Sequence, residues 1–193
     1  MKFTNSLIKG KLLKRYKRFF ADIKVNNRII TAHCPNTGSM QGLLDEGNEV
    51  LVTEHKDPKR KLKFTLEIIK AKKKYVGVNT HRANKIVNHG LENKLISEFK
   101  NIVNIKPEFK FSDDTRFDFL CDNYLIEVKN VTLFRENDIA EFPDAVTSRG
   151  TKHLNMLIKS IKKGYKPNVL FLTQIQNINN FRIAKDIDHI YFE

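Results

Sequence analysis

The sequence predicts an α/β (α+β) protein in which a small OB-like β-barrel precedes an α/β domain with a mixed sheet. Three observations lead to this prediction. Residues 1–80 contain five short strand-like segments broken by turns. Residues 81–193 alternate helical and strand patterns. The charge divides at the same place: residues 1–80 hold 18 Lys and Arg against 7 Asp and Glu, whereas the rest of the chain carries only +2 of the total +13.

The barrel is predicted from turn-forming residues that separate short apolar runs. An Asn-Asn turn at 26–27 marks a hairpin, and residues 34–39 are a dense cluster of turn formers. The predicted strands cover residues 18–25, 28–33, 49–54, 64–69 and 75–78. Five short strands in about eighty residues are typical of a small closed barrel of the OB kind.

The second domain is predicted from a change of period after the barrel. Residues 83–99 and 146–163 carry apolar side chains at helical spacing. Between them, residues 116–130 form a pair of strands, followed by a polar loop over residues 135–144. Residues 168–174 are a nearly continuous apolar run, as expected of a strand buried on both faces. Helix, hairpin, helix and strand in this order indicate a mixed sheet.

The composition indicates a globular protein. With 193 residues, 40% of them hydrophobic, the chain is long enough to bury a core in one large or two small domains. No apolar run approaches the roughly 18 residues of a membrane span, and the N-terminus lacks the apolar segment of a secretory signal. Cys34 and Cys121 are far apart and have no CxxC neighbour, which favours a reducing compartment. We therefore expect a cytoplasmic protein with no membrane partner.

The basic first half is typical of a protein that binds polyanions. An anionic membrane surface is the less favoured partner, because the basic segment becomes strand-like instead of forming a long amphipathic helix. The alternative is compositional. Lys, Ile and Asn are abundant throughout the sequence, so part of the excess charge need not be functional.

Three charged residues, Asp118, Glu127 and Lys129, stand in the hairpin RFDFLCDNYLIEVKN, which otherwise has the pattern of buried strands. Charges in such strands are costly unless they are paired, solvated at a cleft or bound to a metal. With a two-residue turn at 122–123, Asp118 falls directly opposite Glu127, and alternation places Lys129 on the same face. Two carboxylates this close repel each other, so a cation between them is expected.

This constellation suits the hydrolysis of phosphodiesters. Asp118 and Glu127 offer hard oxygen ligands for Mg²⁺ or Mn²⁺, and we expect the backbone carbonyl of Val128 to join them. The metal would polarise the phosphate and help to form hydroxide, while Lys129 would orient the attacking water or offset the developing charge. The alternative is a cross-strand salt bridge between Lys129 and either carboxylate, because E-x-K within a strand is a weak motif.

Six blocks of the chain resemble the sugar fermentation stimulation protein (SfsA) family: YKRFFADI, HCPNTGSM, GVNTHRANKIV, TRFDF, IEVKNVTL and FPDAVTSRGTKHL. The resemblance implies an OB-like domain at residues 1–80 and a domain of the PD-(D/E)xK, restriction-endonuclease-like fold at residues 81–193. It also implies binding of double-stranded DNA without strong sequence preference and a role in regulating sugar (maltose) metabolism. The family pattern continues beyond the DID element, whereas this chain stops at Glu193.

The resemblance also implies roles for single residues. Asp118 occupies the aspartate position of the nuclease motif, while Glu127 and Lys129 occupy its E-x-K; the proline in the motif's name is absent. The first helix of the second domain departs from the family pattern N-R-L-V-x-E-A, because His89 stands in place of the glutamate. His89 could act as a metal ligand or lie on the surface, and Glu92 at i+3 could reach the same face.

In the barrel, a basic and aromatic run is expected to contact DNA. Arg15, Lys17 and Arg18 supply charge for phosphates, and Tyr16 supplies a ring for stacking. Phe19 alternates with the apolar residues of the following strand, so we expect its ring in the core.

The predicted second helix carries a second basic group. Arg149, Lys152 and His153 share one helical face, which could face phosphate near the metal site or be a solvated helix face. Asp144 is a reasonable N-cap for this helix. Gly150 costs a helix roughly 1 kcal/mol relative to alanine, so we expect another backbone or DNA to approach it closely.

Two functions are consistent with these patterns. The first is a Mg²⁺- or Mn²⁺-dependent deoxyribonuclease that binds double-stranded DNA. The alternative is a catalytically silent DNA-binding regulator of sugar (maltose) metabolism genes. The intact Asp, Glu and Lys favour the first, and the histidine in place of the helical glutamate favours the second. A structural protein without a nucleic-acid role is a third hypothesis.

Overall fold

The computed structural model describes residues 3–136 and 138–193, which contain twelve strands and three α-helices. The strands are β1 (Leu7–Tyr16), β2 (Phe20–Val25), β3 (Arg28–His33), β4 (Glu49–Glu54), β5 (Phe64–Ala71), β6 (Lys74–Gly77), β7 (Ile105–Ser112), β8 (Thr115–Cys121), β9 (Tyr124–Val131), β10 (Ile139–Phe142), β11 (Lys166–Thr173) and β12 (Asn180–Ile183). The helices are α1 (His81–Glu92), α2 (Ser148–Ser160) and α3 (His189–Phe192), with 3₁₀ turns at Ser97–Phe99 and Ile161–Lys163. Across the described residues, no helix has both the length and the apolar character needed to cross a membrane.

Strands β1 to β5 close into an OB-like barrel. The strand order is β3-β2-β1-β4-β5, and a pairing between β3 and β5 completes the ring. Strand β6 pairs with the end of β5 and lies outside this ring. The predicted OB-like barrel is therefore confirmed, although the predicted set of five strands contained β6 and lacked β1.

The omission of β1 has a physical cause. Four of the ten residues in its sequence LIKGKLLKRY are cations, and its register against β2 shifts between Leu12 and Lys14. This irregularity breaks the alternation on which strand prediction depends. In the barrel, the strand turns Gly10 and Leu12 inward and its lysines outward.

The barrel core is completed by side chains from the second half of the chain. Val131, Phe134, Ala140 and Ile175 are buried in the same apolar cluster as the inward residues of β1 to β5. Backbone contacts reinforce this packing, because the N–H of Gly77 donates to the carbonyl of Gln174 at 2.8 Å. The core of the barrel is therefore shared between the two halves of the chain.

The second domain is built on the sheet β11-β9-β8-β7. Strands β7, β8 and β9 are antiparallel neighbours, and β9 is parallel to β11, which confirms the predicted mixed sheet. Helix α1 packs in one apolar cluster with Phe119 and Ile126, whereas α2 packs in another with Leu120 and Leu125. Because these are successive cross-strand pairs, the two helices cover opposite faces of the sheet.

The second domain differs from the prediction in three features. The polar loop 135–144 contains β10, which pairs in parallel with β12. Strand β7 was not predicted, because Pro107 and three charged residues interrupt its apolar pattern. The run 168–174 falls mainly within β11, an edge strand that packs against apolar clusters on both faces but whose side chains are only half-buried.

The prediction for Phe19 was also wrong. Lys17 and Arg18 have φ of 46° and 61°, so they form a tight left-handed turn before β2. Phe19 belongs to this turn rather than to the strand, and its side chain is 42% exposed. The alternation that buries Ala21 and Ile23 therefore does not extend to it.

Candidate functional site

A cleft of about 620 Å³ lies between the barrel and the second domain. We call it the interdomain cleft. Its walls come from the barrel turn 36–38, the start of α1, the middle of β8, the second half of β9, and the segment 142–149 that leads into α2. Asp118, Glu127, Val128 and Lys129 all line it, so the structure brings the predicted residues of the hairpin to one place.

The hairpin separates at the point where Asp118 stands. The β8–β9 ladder contains Cys121–Tyr124, Leu120–Leu125 and Phe119–Ile126, in the register that the two-residue turn predicts. The ladder ends there, one pair short of Asp118 and Glu127. We expected these two residues to be directly paired across the strands, and they are not.

The carboxylate of Asp118 takes the place of the missing ladder bond. Its Oδ2 accepts a hydrogen bond from the N–H of Val128 at 2.6 Å, and its Oδ1 accepts one from the side-chain amide of Asn84 at 2.6 Å. Because the N–H and C=O of a strand residue point to the same edge, the carbonyl of Val128 also faces this gap. A carboxylate and a backbone oxygen thus meet where the strands part.

Glu127 is held from one side only. The Nζ of Lys129 and the Nδ1 of His153 both contact its Oε1, at 2.7 and 2.6 Å. Its Oε2 receives no hydrogen bond from residues 3–136 and 138–193. Glu127 is only 5% exposed, so this second oxygen is a nearly buried acceptor at the cleft wall.

The two carboxylates have opposite electrostatic settings. Burial and the nearby charge of Glu127 raise the pKa of Asp118, although the bonds from Val128 and Asn84 oppose the shift. Burial also raises the pKa of Glu127, but the hydrogen bond from His153 and the charge of Lys129 outweigh it and lower the pKa overall. The charge of Lys129 also lowers the pKa of Asp118, but it does not outweigh burial and the charge of Glu127.

The donor set fits a hard divalent cation. Asp118, Glu127 and the Val128 carbonyl supply oxygen, the ligand type that Mg²⁺ and Mn²⁺ prefer. Within the described part of the chain, no group of three or more His, Cys, Asp or Glu side chains is placed to hold a metal. Two carboxylates are nevertheless enough for Mg²⁺, which keeps several waters and completes its shell with substrate phosphate.

The helix α1 contributes Asn84 and not an acidic residue. His89 contacts Asn93 at 3.1 Å, and Glu92 accepts from Asn88 at 2.8 Å. Both residues line a pocket that also contains Asp118, but within the described residues neither side chain hydrogen-bonds a carboxylate of the pair. Asn84 was not predicted as a site residue. Asn84 is the first residue of the block that matches N-R-L-V-x-E-A, and this position could have marked it as a candidate. Its hydrogen bond to Asp118, however, depends on how α1 docks on the sheet.

The basic residues predicted on α2 have three different environments. His153 is turned inward to Glu127, with its side chain only 12% exposed. Lys152 forms a surface ion pair with Asp114 at 2.8 Å. Arg149 is exposed at the cleft, and no ion pair with it occurs in the described residues. All three side chains nevertheless line one pocket beside Asp114 and Arg116, so the structure brings them together, and their contact with phosphate stays a prediction.

The residues of the basic run in the barrel also differ in their environments. Arg15 donates to the backbone carbonyls of Asn36, Gly38 and Arg18, so it supports the turn instead of presenting a free charge. Lys17 and Tyr16 are exposed. Arg18 is exposed as well and lines the interdomain cleft.

Asp144 joins the two walls of the cleft and does not cap α2. Its Oδ2 accepts from the N–H of Met40 at 2.9 Å, and its carbonyl accepts from Ser39 at 2.6 Å. Gly38 is required here, since a Cβ at that position would lie 2.6 Å from the Asp144 carboxylate. The cap of α2 is Thr147, whose hydroxyl accepts from the N–H of Gly150.

Gly150 is closely approached, as expected, but by the protein's own side chains. A Cβ there would lie 2.8 Å from Thr147 and 3.0 Å from the ring of Tyr191. The small residue lets α3 pack against the start of α2, so neither another backbone nor DNA is needed to explain it.

Comparison with known proteins finds matches to one protein family. The sequence matches the family models "SfsA N-terminal OB domain" over residues 13–78 and "Sugar fermentation stimulation protein RE domain" over residues 81–193. The sugar fermentation stimulation protein homolog of Pelagibacter ubique is 64% identical over 197 residues, covering 100% of this chain and 85% of that protein. The homolog of Alteromonas mediterranea is 43% identical over 205 residues, with coverage of 100% and 86%.

A solved structure has the same fold. The structure of Pyrococcus furiosus SfsA in complex with Ca²⁺ has a TM-score of 0.88 and 24% sequence identity. The match covers 98% of this chain and 82% of that chain.

Proposed function

The chain belongs to the sugar fermentation stimulation protein (SfsA) family, and we propose that it binds double-stranded DNA and hydrolyses phosphodiester bonds with a divalent metal. The observation that carries the proposal is the pair Asp118 and Glu127 beside Lys129, in a cleft that also exposes Arg18 and Arg149. On this proposal the second domain is a restriction-endonuclease-like domain with the PD-(D/E)xK residue pattern.

Asp118, Glu127 and the carbonyl of Val128 are the proposed holders of Mg²⁺ or Mn²⁺. The Ca²⁺ complex of the Pyrococcus furiosus protein supports a divalent ion, since Ca²⁺ takes the same hard oxygen ligands. When bound, the metal would polarise the phosphate and lower the pKa of a water molecule.

The remaining side chains have supporting tasks. Asn84 and His153 hold the two carboxylates through hydrogen bonds of 2.6 Å each, which fixes their orientation toward the cleft. The ammonium of Lys129 lies beside Glu127 and is placed to orient the attacking water or to offset charge on the phosphate. Arg18 and Arg149 would bind phosphates on either side of the scissile bond.

Calorimetric titration with Mg²⁺ and Mn²⁺ tests the metal site without requiring the natural DNA substrate. We expect the wild type to bind either metal and Glu127→Gln to lose most of that affinity, because an anionic oxygen ligand is removed. Incubation of a plasmid with each metal then tests hydrolysis. Absence of metal binding by the wild type, or an uncut plasmid after long incubation with highly pure protein, would contradict the proposal.

A catalytically silent DNA-binding regulator of sugar (maltose) metabolism is the second candidate. It is favoured by α1, which presents the amide of Asn84 and no acidic side chain to Asp118, while His89 occupies the position of the glutamate in the family pattern. This function predicts salt-sensitive duplex binding that persists in EDTA and in Asp118→Asn, with no cleavage in either metal.

A further inference from the structure

The outer face of the barrel carries a row of aromatic rings that the proposed chemistry does not use. Tyr16 on β1 pairs with Phe20 on β2, and Phe20 pairs with His33 on β3. Directly paired residues share a face, so the three rings form a row across three strands. The opposite face holds Ala21 and Ala32, which are fully buried in the barrel.

The rings stack on one another and remain accessible. The rings of Tyr16 and Phe20 are 5.5 Å apart and nearly parallel, at 16°. Phe19 stacks on His33 with centroids 6.4 Å apart at 27°. Tyr16 is 36% and Phe19 is 42% exposed, so aromatic surface is presented to solvent on both sides of the row. We call the rings of Tyr16, Phe19, Phe20 and His33 the aromatic row.

The aromatic row leads directly to the interdomain cleft. His33 is 6.4 Å from the ring of His81, the first residue of α1, and Thr80 next to it lines the cleft. At the other side, Arg18 precedes Phe19 in the chain and also lines the cleft. The aromatic row therefore adjoins the interdomain cleft at Thr80 and at Arg18.

Cations flank the row on both sides. Lys17 and Arg18 are exposed in the turn before it. The loop between β4 and β5 holds further cations, Lys56, Lys59, Arg60, Lys61 and Lys63, against a single acid. Arg60 lies close to the row, since its guanidinium bonds Thr65, the partner of His33 across β3 and β5. Burial, with His81 and Arg60 nearby, lowers the pKa of His33, which favours its neutral ring.

We propose that the aromatic row binds unpaired nucleotides of a DNA strand that continues out of the interdomain cleft. Exposed rings stack on bases only where the bases are not paired within a duplex, and the flanking cations match the phosphates of such a strand. The inference rests on the proposed function and specifies its substrate class: duplex DNA with a single-stranded end or gap, in which the scissile phosphate lies next to unpaired bases.

Fluorescence anisotropy in EDTA tests this inference without cleavage. The probes are a blunt duplex, a duplex with a single-stranded overhang and a single strand, matched in number of phosphates. We expect the wild type to bind the overhang duplex about tenfold more tightly than the blunt one. Phe19→Ala and Tyr16→Ala should each lose roughly tenfold in affinity for the overhang, as expected for one stacked base, and change by less than about twofold on the blunt duplex.

Two further variants act as controls. Phe192→Ala removes a phenylalanine that is also exposed, at 49%, and also lies near a cation, Lys185, but is on α3. It should leave all affinities unchanged. Phe19→Trp should keep the overhang affinity, because it keeps a stacking ring.

The outcomes separate this inference from the proposed function. Equal affinity of the wild type for the blunt and overhang duplexes, or equal losses on both in the alanine variants, would overturn the inference while DNA binding stands. Tighter binding of an RNA strand of the same sequence would overturn its assignment to DNA. Failure to bind any of the DNA probes would refute both proposals. Preferential overhang binding by a protein that cuts no DNA would support the inference and refute the nuclease.

Discussion

Two nearly buried glutamates, Glu67 in the barrel and Glu127 in the second domain, have very different surroundings. They are 2% and 5% exposed, respectively, and both stand in strands. Each oxygen of Glu67 accepts two hydrogen bonds, one from Arg82 and one from either Thr53 or Asn79. This carboxylate is fully satisfied and joins β5 to the start of α1.

Glu127 is satisfied on one oxygen only. Lys129 and His153 both contact Oε1, and a second carboxylate, Asp118, raises the negative charge of the same site. The comparison with Glu67 teaches that a buried charge is not by itself the mark of a functional site. Both glutamates line a cavity, so the distinguishing features are the open oxygen of Glu127 and the second acid, Asp118, beside it.

The largest expected effect concerns catalysis. Asp118→Asn or Glu127→Gln should reduce metal-dependent plasmid cleavage by roughly a thousandfold or more, because each removes an anionic ligand from the proposed metal. Glu67→Gln is the matched control, since it alters a buried carboxylate outside the cleft and should keep the rate per folded molecule. Equal losses of activity in all three variants would contradict the assignment of a catalytic role to Asp118 and Glu127 and of a structural role to Glu67.

The next largest effect is on stability, and it is expected at Glu67, the position that serves as the control for catalysis. Glu67→Ala should lower the free energy of unfolding by about 3–5 kcal/mol, because it leaves the guanidinium of Arg82 without its buried partner. Urea denaturation followed by circular dichroism measures this change. Lys110→Ala, which breaks the surface pair with Asp113, should have little effect. A loss at Glu67 no larger than that of the surface pair would contradict the structural role.

A smaller effect is expected at Asp118. Without divalent metal, Asp118→Asn should raise the stability by on the order of 1 kcal/mol, since it removes an acid whose charge is disfavoured by burial and by Glu127. Mg²⁺ or Mn²⁺ should stabilise the wild type, by about 2.7 kcal/mol at a hundred times the Kd, and have little effect on the variant. Thermal unfolding with EDTA and with each metal tests both statements; a metal-induced shift of equal size in the variant would refute the assigned ligand.

The smallest effect is a pH dependence that sharpens the same contrast. Burial acts to raise the pKa of Glu67, but hydrogen bonds from Arg82, Asn79 and Thr53 outweigh it and hold the pKa below the usual 4.5. A depressed pKa in the folded state contributes stability above pH 4.5 and loses it as the pH falls through the folded value. The stability difference between wild type and Glu67→Gln should therefore shrink below pH 4.5 in urea unfolding. A difference that stays constant with pH would contradict this origin.

The sequence was sufficient for those parts of the fold that depend on local patterns. The hairpin of β2 and β3 and the strand β4 follow from turn residues and short apolar runs, and their predicted bounds agree closely with the structure. Strands β1, β7 and β10 were missed because charged side chains, a register shift in β1 and Pro107 in β7 interrupt their apolar patterns. Glu141 on β10, for example, is buried against Arg135 and Arg182.

The candidate site likewise contains residues that local patterns predict and residues that only the packing of the fold brings in. Register arithmetic on one hairpin was enough to bring Asp118, Glu127 and Lys129 together, because the pairing of Phe119 with Ile126 is a local property. The contacts of Asn84 and His153 with the carboxylates could not be predicted, since they depend on how two helices dock on opposite faces of the sheet. The free oxygen of Glu127 is a consequence of that docking.

The shared hydrophobic core limits how this chain can be recombined. The barrel interior includes Val131, Phe134, Ala140 and Ile175, all of which lie beyond residue 80. A chimaera that takes only the barrel from one relative and the remainder from another would therefore join surfaces that were never selected to fit. The unit that can be exchanged intact is the barrel together with these four positions.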